Sequence, residues 1–244
     1  MKAVILAAGM GSRIRPLTDN CPKSLLKVGS STILEMMITH IRDCGINEII
    51  FVLGYLQEQI KECVTTKFPD LTAHFVINDL YSETNTGFSL MLSKDRVGDS
   101  AFIKFDADVV FDKKILKNLI ESDYATCLCI DKNVNLDAEE IKVIIGEQNR
   151  VVKASKTVDP RDAMGESIGI EKISRETAIL LFAELELMMV EEQNHQAYYE
   201  GAYERLIEKG VPFYALDISG LNWIEIDTHE DYQRFLNRPP GACA

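Results

Sequence analysis

Residues 2–18, KAVILAAGMGSRIRPLT, run from a short apolar stretch into a loop of small residues and then into two arginines. Lys2 to Leu6 reads as a buried strand, short and apolar. Ala7, Ala8, Gly9 and Gly11 follow it. Glycine lets the backbone approach a ligand closely, and successive N–H groups in such a loop can face an anion. Arg13 and Arg15 add fixed positive charge in the planar fork that suits phosphate. Two well-known phosphate motifs are excluded. Position 14 is Ile where the dinucleotide fingerprint has its third glycine, and no Gly-Lys-Ser/Thr ending follows as in a P-loop. Taken alone, the stretch also fits a strand-to-loop turn with two surface arginines, so its meaning rests on the rest of the chain.

Around it, strand-like and helix-like segments alternate. Ala3–Leu6 is followed by a helix over Thr32–Cys44 with Ile33, Met36, Met37 and Ile41 on one face. Then come a strand at Glu48–Leu53, a helix at Gln57–Lys67, and strands at Thr72–Ile77 and Ala101–Phe105. This alternation predicts an α/β fold, a mostly parallel sheet covered on both faces, with ligands beyond the carboxyl ends of the strands. Both the Gly9 loop and the stretch after Phe105 fall at such ends. Beyond that point strands dominate, at 124–130, 141–145 and 151–154, and the stretch at 166–173 is short and mixed. Helices at 175–191 and 198–208 and late strands at 213–216 and 223–226 complete the pattern. The end, residues 237–244, differs in composition and reads equally as a native tail, a linker or a vector remnant.

The 244 residues are 46% hydrophobic, enough for one large domain over residues 1–236 with a sizeable core. No apolar run is long enough to span a bilayer and the first residues enter a strand rather than a signal peptide, so a cytoplasmic location is expected. A net charge of −12 without a Lys/Arg cluster argues against nucleic acid as a partner. Cys21, Cys44, Cys63, Cys127, Cys129 and Cys243 form no C-x-x-C pair and read as reduced thiols, not as a zinc site. The four histidines show no nucleophile–base arrangement.

Three further stretches carry chemistry. Phe105-Asp106-Ala107-Asp108-Val109 sets two carboxylates at a strand end, where they suit a hard cation such as Mg²⁺, and we take Asp108 as the ligand. Trp223-Ile224-Glu225-Ile226-Asp227-Thr228 ends another strand with a carboxylate, although Asp227 or Thr228 can equally cap the following helix. Pro22-Lys23-Ser24-Leu25-Leu26 offers a lysine near the Gly9 turn as a point charge for phosphate.

In this order (A-A-G-x-G-S-R, R-P-L-T, P-K-S-L-L, D-A-D and W-x-E-I-D-T) the chain resembles the nucleotidyltransferases that activate phosphorylated acceptors, from Lys2 to about Leu236. The resemblance implies a Rossmann-like, mostly parallel mixed sheet flanked by helices, of the nucleotide-diphospho-sugar transferase type. A nucleotide side at about 1–110 and an acceptor side at about 111–236 go with it. Residues 78–90, NDLYSETNTGFSL, resemble the branch of phosphocholine cytidylyltransferases and their inositol-phosphate and aminoethylphosphonate relatives, with Thr86 in place of the usual second Asn. Residues 165–170 and 198–200 resemble that branch too.

The resemblance implies CTP and a small phosphorylated or phosphonate acceptor as partners: phosphocholine, 2-aminoethylphosphonate or inositol-1-phosphate. Leu6, Ala7, Ala8, Gly9, Met10, Gly11 and Ser12, with Asn78, Thr84, Asn85 and Asp106, would bind the nucleotide. Arg13 and Lys23 would be catalytic through their charge, and Asp108 and Asp227 would hold Mg²⁺. Lys156, Glu166, Tyr199, Glu200 and Trp223 would meet the acceptor. An ionised phosphate oxygen is already nucleophilic, so positioning and charge neutralisation suffice without a catalytic histidine. A sugar-1-phosphate nucleotidyltransferase using UTP, dTTP or GTP is the nearest alternative, disfavoured by the missing L-G-T-A segment. A non-catalytic nucleotide-sensing domain would be expected to lose Arg13, Lys23 or an acidic ligand. A homodimer and a fusion to a second enzyme domain both stay open.

Overall fold

The computed structural model describes residues 1–134, 136 and 140–237; Cys243 and all but the first residue of the 237–244 tail lie outside them. Strand β1 (Lys2–Ala7) takes the opening apolar run. The short strands β2 (Lys27–Val28) and β3 (Ser31–Thr32) form a separate hairpin that leads into helix α1 (Ile33–Asp43). There follow β4 (Glu48–Leu53), α2 (Gln57–Lys67), β5 (Thr72–Ile77), the short helices α3 (Thr86–Leu92) and α4 (Lys94–Val97), and β6 (Phe102–Asp106). β1 pairs in parallel with β4 on one side and β6 on the other, and β4 with β5.

The second half comprises β7 (Val109–Phe111), α5 (Lys113–Glu121), β8 (Cys127–Asp131), β9 (Lys142–Ile145), β10 (Val151–Ser155) and β11 (Glu166–Ile173). Then come α6 (Arg175–Glu186), α7 (Tyr199–Glu208), β12 (Tyr214–Asp217), β13 (Trp223–Glu225) and α8 (His229–Leu236). β11 lies antiparallel to β6 and extends the sheet beyond its parallel part. The order is β10-β9-β11-β6-β1-β4-β5, with β8 on β11 and β12 on β8. This is the mostly parallel mixed sheet expected.

Alternation along the strands sorts side chains between two helical layers. Ala3, Ile5 and Ala7 of β1 face the layer of α1, α2 and α5, while Val4 and Leu6 face that of α3, α6 and α7. A third, small core positions the functional loops. Ile14, Leu26, Val28, Ile33, Val110, Ile224 and Ile226 meet in it, with Tyr232 and Phe235 packed against it. It joins the stretch after the Gly9 loop, the Pro22–Leu26 segment, β7, β13 and α8.

Three elements depart from the sequence reading. The helix expected over 175–191 is α-helical only to Glu186 and continues as a π turn over Leu187–Glu191. α3 and α5 were not distinguished because both are brief: α5 has nine residues, started by Asp112, whose side chain accepts from Lys114 N. Among the described residues no helix is long and apolar enough to cross a membrane.

Helix α1 starts on a capping box. Glu35 N donates to Thr32 Oγ1 at 3.1 Å, and Thr32 N donates to Glu35 Oε2 at 2.8 Å. Thr32→Ala removes one half of it, and urea unfolding is expected to show a loss of about 1 kcal/mol.

Candidate active site

β1 has β4 on one side and β6 on the other, so the strand order reverses beside it, and loops diverge there at the carboxyl ends. The loop after β1 and the Asp106–Asp108 turn after β6 open into a cleft of about 1220 Å³. Gly11 fits its place for two reasons. Its φ of +59° is left-handed, and a Cβ there would come within 3.0 Å of Thr18 Cγ2 and 3.2 Å of Lys23 Cβ. The loop therefore packs on the stem of Lys23. A Cβ at Gly9 would meet no protein atom within 4 Å, so its side of the loop faces open space.

Asp108 and Asp227 meet because β7 and β13 pair antiparallel. Glu225 lies opposite Val109, and Ile226 N donates to Asp108 O at 3.1 Å. The sequence left open whether Asp227 or Thr228 caps the last helix. Thr228 does so, in a capping box with Asp231. The Asp227 carboxylate instead accepts from Lys23 Nζ at 2.6 Å through Oδ1 and from Arg13 at 2.6 Å through Oδ2. Lys23 Nζ is also 2.6 Å from Asp108 Oδ2. Burial opposes charge on Lys23, but Asp108 and Asp227 outweigh it and hold the ammonium above its usual range. Burial likewise opposes charge on Asp227, and Lys23 with Arg13 keeps it below the usual carboxylate range.

Glu225 joins this cluster. Carboxylate oxygens of Asp108, Glu225 and Asp227 all lie within 4.8 Å of one another. Burial, then Asp108 and Asp227, push Glu225 well above its usual range. Asp108 Oδ1 is buried without a hydrogen-bond partner among the described residues. Converging oxygens, one of them unsatisfied, fit a hard divalent cation.

The other end of the cleft rests on a buried ionic network. Lys104 Nζ lies 2.8 Å from Asp106 Oδ2 and 2.9 Å from Glu171 Oε2, donates to Tyr199 OH, and sits 3.8 Å from the centre of the Tyr199 ring. Tyr199 OH in turn donates to Asp106 at 2.7 Å. Burial pushes Glu171 up to about 8 and Glu200 up to about 7, with Lys104 opposing both shifts. Gly169, with φ +75°, passes so close to Asp106 that a Cβ would enter its carboxylate.

The sequence-derived residues converge on this cleft with one exception. Leu6–Arg13, Lys23, Thr84, Asn85, Asp106, Asp108, Lys156, Glu166, Tyr199, Glu200, Trp223 and Asp227 all line it. Asn78 does not. It is 1% exposed, donates to Thr84 Oγ1 and Ser89 Oγ, and accepts from Leu80 N. Its amide holds the 78–89 loop, and its side chain does not line the cleft. Tyr199 and Asp106 line the cleft while bound to each other. Trp223 Nε1 donates to Asp131 Oδ2 at 2.8 Å, Lys156 Nζ lies 5.1 Å from the Tyr198 ring centre, and Glu166 lies opposite Lys142 between β11 and β9. Sequence reasoning missed Glu225, Lys104 and Glu171. Strand alternation could have found Glu225, two residues before Asp227 on the same face, and Lys104, a charge inside an apolar run.

An α/β sheet with a glycine-rich loop and facing acidic and basic groups at its switch point has the chemistry suited to phosphate. The chain belongs to the nucleotidyl transferase family, whose sequence model matches residues 2–152. It is 40% identical over 125 residues to a choline-phosphate cytidylyltransferase of Streptococcus pneumoniae, covering 51% of this chain and 52% of that enzyme. It is 30% identical to a CTP:phosphoglutamine cytidylyltransferase of Campylobacter jejuni, over 96% of this chain and 98% of that one. A CMP-5'-(3-aminopropyl)phosphonate synthase of Streptomyces rubellomurinus is 26% identical, with 98% of this chain matching 39% of the synthase. Among solved structures, the CTP:phosphocholine cytidylyltransferase of S. pneumoniae superposes with a TM-score of 0.82 and 27% identity, over 96% of this chain and 97% of that one. The protein is thus an enzyme, a nucleotidyltransferase.

Two predictions follow from the buried network. Gly169→Ala displaces the Asp106 carboxylate, so turnover is expected to fall about tenfold or more, with thermal unfolding lowered by about 1–3 kcal/mol of strain. In the unfolded chain Glu200 loses its proton near the ordinary glutamate value. Between there and about pH 7 the folded protein therefore binds more protons, and this contribution to stability falls as pH rises. Glu200→Gln is expected to unfold about 1–3 kcal/mol harder than wild type at pH 8 and equally at pH 5, measured by urea denaturation.

Proposed function

We propose that the enzyme is a Mg²⁺-dependent cytidylyltransferase that joins CTP to a small phosphorylated or phosphonate acceptor, giving a CMP-conjugate and pyrophosphate. One observation carries most of this reading: Arg13, Lys23, Asp108 and Asp227 form one ionic cluster at the mouth of a glycine-rich loop. The similarity to several cytidylyltransferases with different acceptors supports CTP more strongly than any one acceptor.

In this reading the Ala8–Ser12 backbone cradles the triphosphate, and the wall formed by Thr84 and Asn85 faces the base. An acceptor oxygen attacks the α-phosphorus while the bond to pyrophosphate breaks, and pyrophosphate leaves with the electron pair. Arg13 neutralises the charge that develops on pyrophosphate, and Lys23 lies between donor and acceptor phosphates. Asp108 and Asp227, with Glu225 beside them, hold Mg²⁺. Bound there, the ion supplies Lewis-acid polarisation and a template for the phosphate oxygens. Lys156 takes the acceptor's phosphate, while Glu166, Glu200 and Trp223 face its remaining part. Tyr199 acts from behind, fixing Asp106. With Asp131 also lining that end, carboxylates are plentiful there, which favours an acceptor bearing an ammonium group over a neutral one.

The test is pyrophosphate release with Mg²⁺, crossing CTP, UTP, dTTP, GTP and ATP against phosphocholine, 2-aminoethylphosphonate, phosphoglutamine, inositol-1-phosphate and glucose-1-phosphate. Turnover is expected with CTP and one of the amine-bearing acceptors, and turnover confined to glucose-1-phosphate would sink the reading. With the active pair, Arg13→Gln is expected to lower kcat/KM by roughly a hundredfold or more, as loss of one transition-state charge contact does elsewhere.

A further inference from the structure

Lys23 is held by the same two carboxylates that are assigned to the metal. Its Nζ lies 2.6 Å from Asp108 Oδ2 and 2.6 Å from Asp227 Oδ1, and all three side chains are largely buried. The other Asp227 oxygen is taken by Arg13. A divalent ion ligated by these oxygens at about 2.1 Å would stand within roughly a hydrogen bond's length of the ammonium. Two cations at that separation repel strongly in a partly desolvated cleft. Yet the lysine is anchored at its base. Its Cβ lies 3.2 Å from the position a Gly11 Cβ would take, and the residue opens a one-turn helix, Lys23–Leu25. Only the flexible end of its four-carbon stem is left to move, along the wall it shares with the glycine-rich loop.

We propose that Lys23 is an internal competitor for the metal: it bridges Asp108 and Asp227 in the free enzyme, and a divalent cation takes full hold only when the ammonium swings onto the phosphates of an arriving nucleotide. The inference rests on the metal reading of Asp108 and Asp227 given above. It makes metal and nucleotide binding mutually reinforcing, because each removes what opposes the other, and the coupling must be equal in both directions. Arg13 differs in kind. It pairs with Asp227 through Oδ2, the oxygen that Lys23 leaves, and so lowers the charge of the cluster.

Mn²⁺ binding followed by water-proton relaxation tests this, since the signal separates protein-bound from nucleotide-bound ion. Wild type is expected to bind Mn²⁺ weakly alone and roughly ten- to a hundredfold more tightly with CTP. Lys23→Met is expected to bind Mn²⁺ without nucleotide about tenfold or more tighter than wild type and to lose most of the CTP-induced gain, while Arg13→Gln moves free affinity less. Acylation of Lys23 in wild type, read by peptide mass spectrometry, keeps the test decisive should Lys23→Met fold poorly. Mn²⁺ at a concentration that saturates the nucleotide-free protein is expected to speed labelling of Lys23 by displacing it from the two carboxylates. Labelling that Mn²⁺ leaves unchanged or slows, or a folded Lys23→Met with wild-type affinity for Mn²⁺, overturns the competitor role while leaving the metal reading intact. Absence of protein-bound Mn²⁺ in wild type even with CTP overturns both.

Discussion

The short antiparallel pairing of β13 with β7 is the constraint on which the site depends. Three residues of each strand pair, and Ile226 N adds one more hydrogen bond to Asp108 O. Ile224 and Ile226 turn into the small third core, so by alternation Glu225 and Asp227 turn the other way. Ile14 and Leu26 enter that core from the opposite side and bring Arg13 and Lys23 with them. Asp227 and Lys23 are 204 residues apart in sequence, yet a handful of aliphatic side chains settles their meeting. Hydrophobic burial supplies the placement, and the ion pairs add direction.

Charge is handled differently at the two ends of the cleft. At the Asp108–Asp227 end, Lys23 pairs with both aspartates and Arg13 with one of them, and Asp227 stays ionised. At the Lys104 end, one fully buried cation faces Asp106, Glu171 and Glu200, and the surplus of carboxylates is met by protons, with Glu171 and Glu200 pushed up to about 8 and 7. A buried charge without a partner costs more than a shifted proton does. The first end is suited to phosphate and metal, the second to a cationic group.

Much of the sheet could be read from the chain. Strands at 48–53 and 72–77 and the helix at 57–67 fall on the expected residues, because apolar runs and i, i+3, i+4 spacing are local signals. Thr228 was legible as one of two candidate caps for the last helix, and it closes a capping box there. The residues of the Gly9 loop, Lys23, Asp108 and Asp227 were recognisable by type and order. What escaped was set by side-chain partners that only the folded chain brings together. Asn78 looked like a base-reading amide, but its two donors and its carbonyl are claimed by Thr84, Ser89 and Leu80. Lys104 reads as an anomaly in an apolar strand until β11 and α7 supply Glu171 and Tyr199. Tyr199 read as an acceptor contact, and only the packing shows its hydroxyl committed to Asp106.

The break in β11 has a consequence for how such a fold diversifies. Glu166 and Ser167 pair with β8, and Glu166 also with β9, whereas Ile170–Ile173 pair with β6 on one edge while Glu171 and Lys172 keep β8 on the other, and the β8 register shifts between Ser167 and Glu171. One continuous strand is thereby shared by two neighbourhoods that need not change together. The half on β6 is tied to the Asp106 turn and to transfer chemistry. The half on β8 and β9 borders connections whose length and composition can drift without altering the spacing of phosphate-handling groups. A lineage built on this strand can rewrite one side of the cleft while the other side keeps its arrangement.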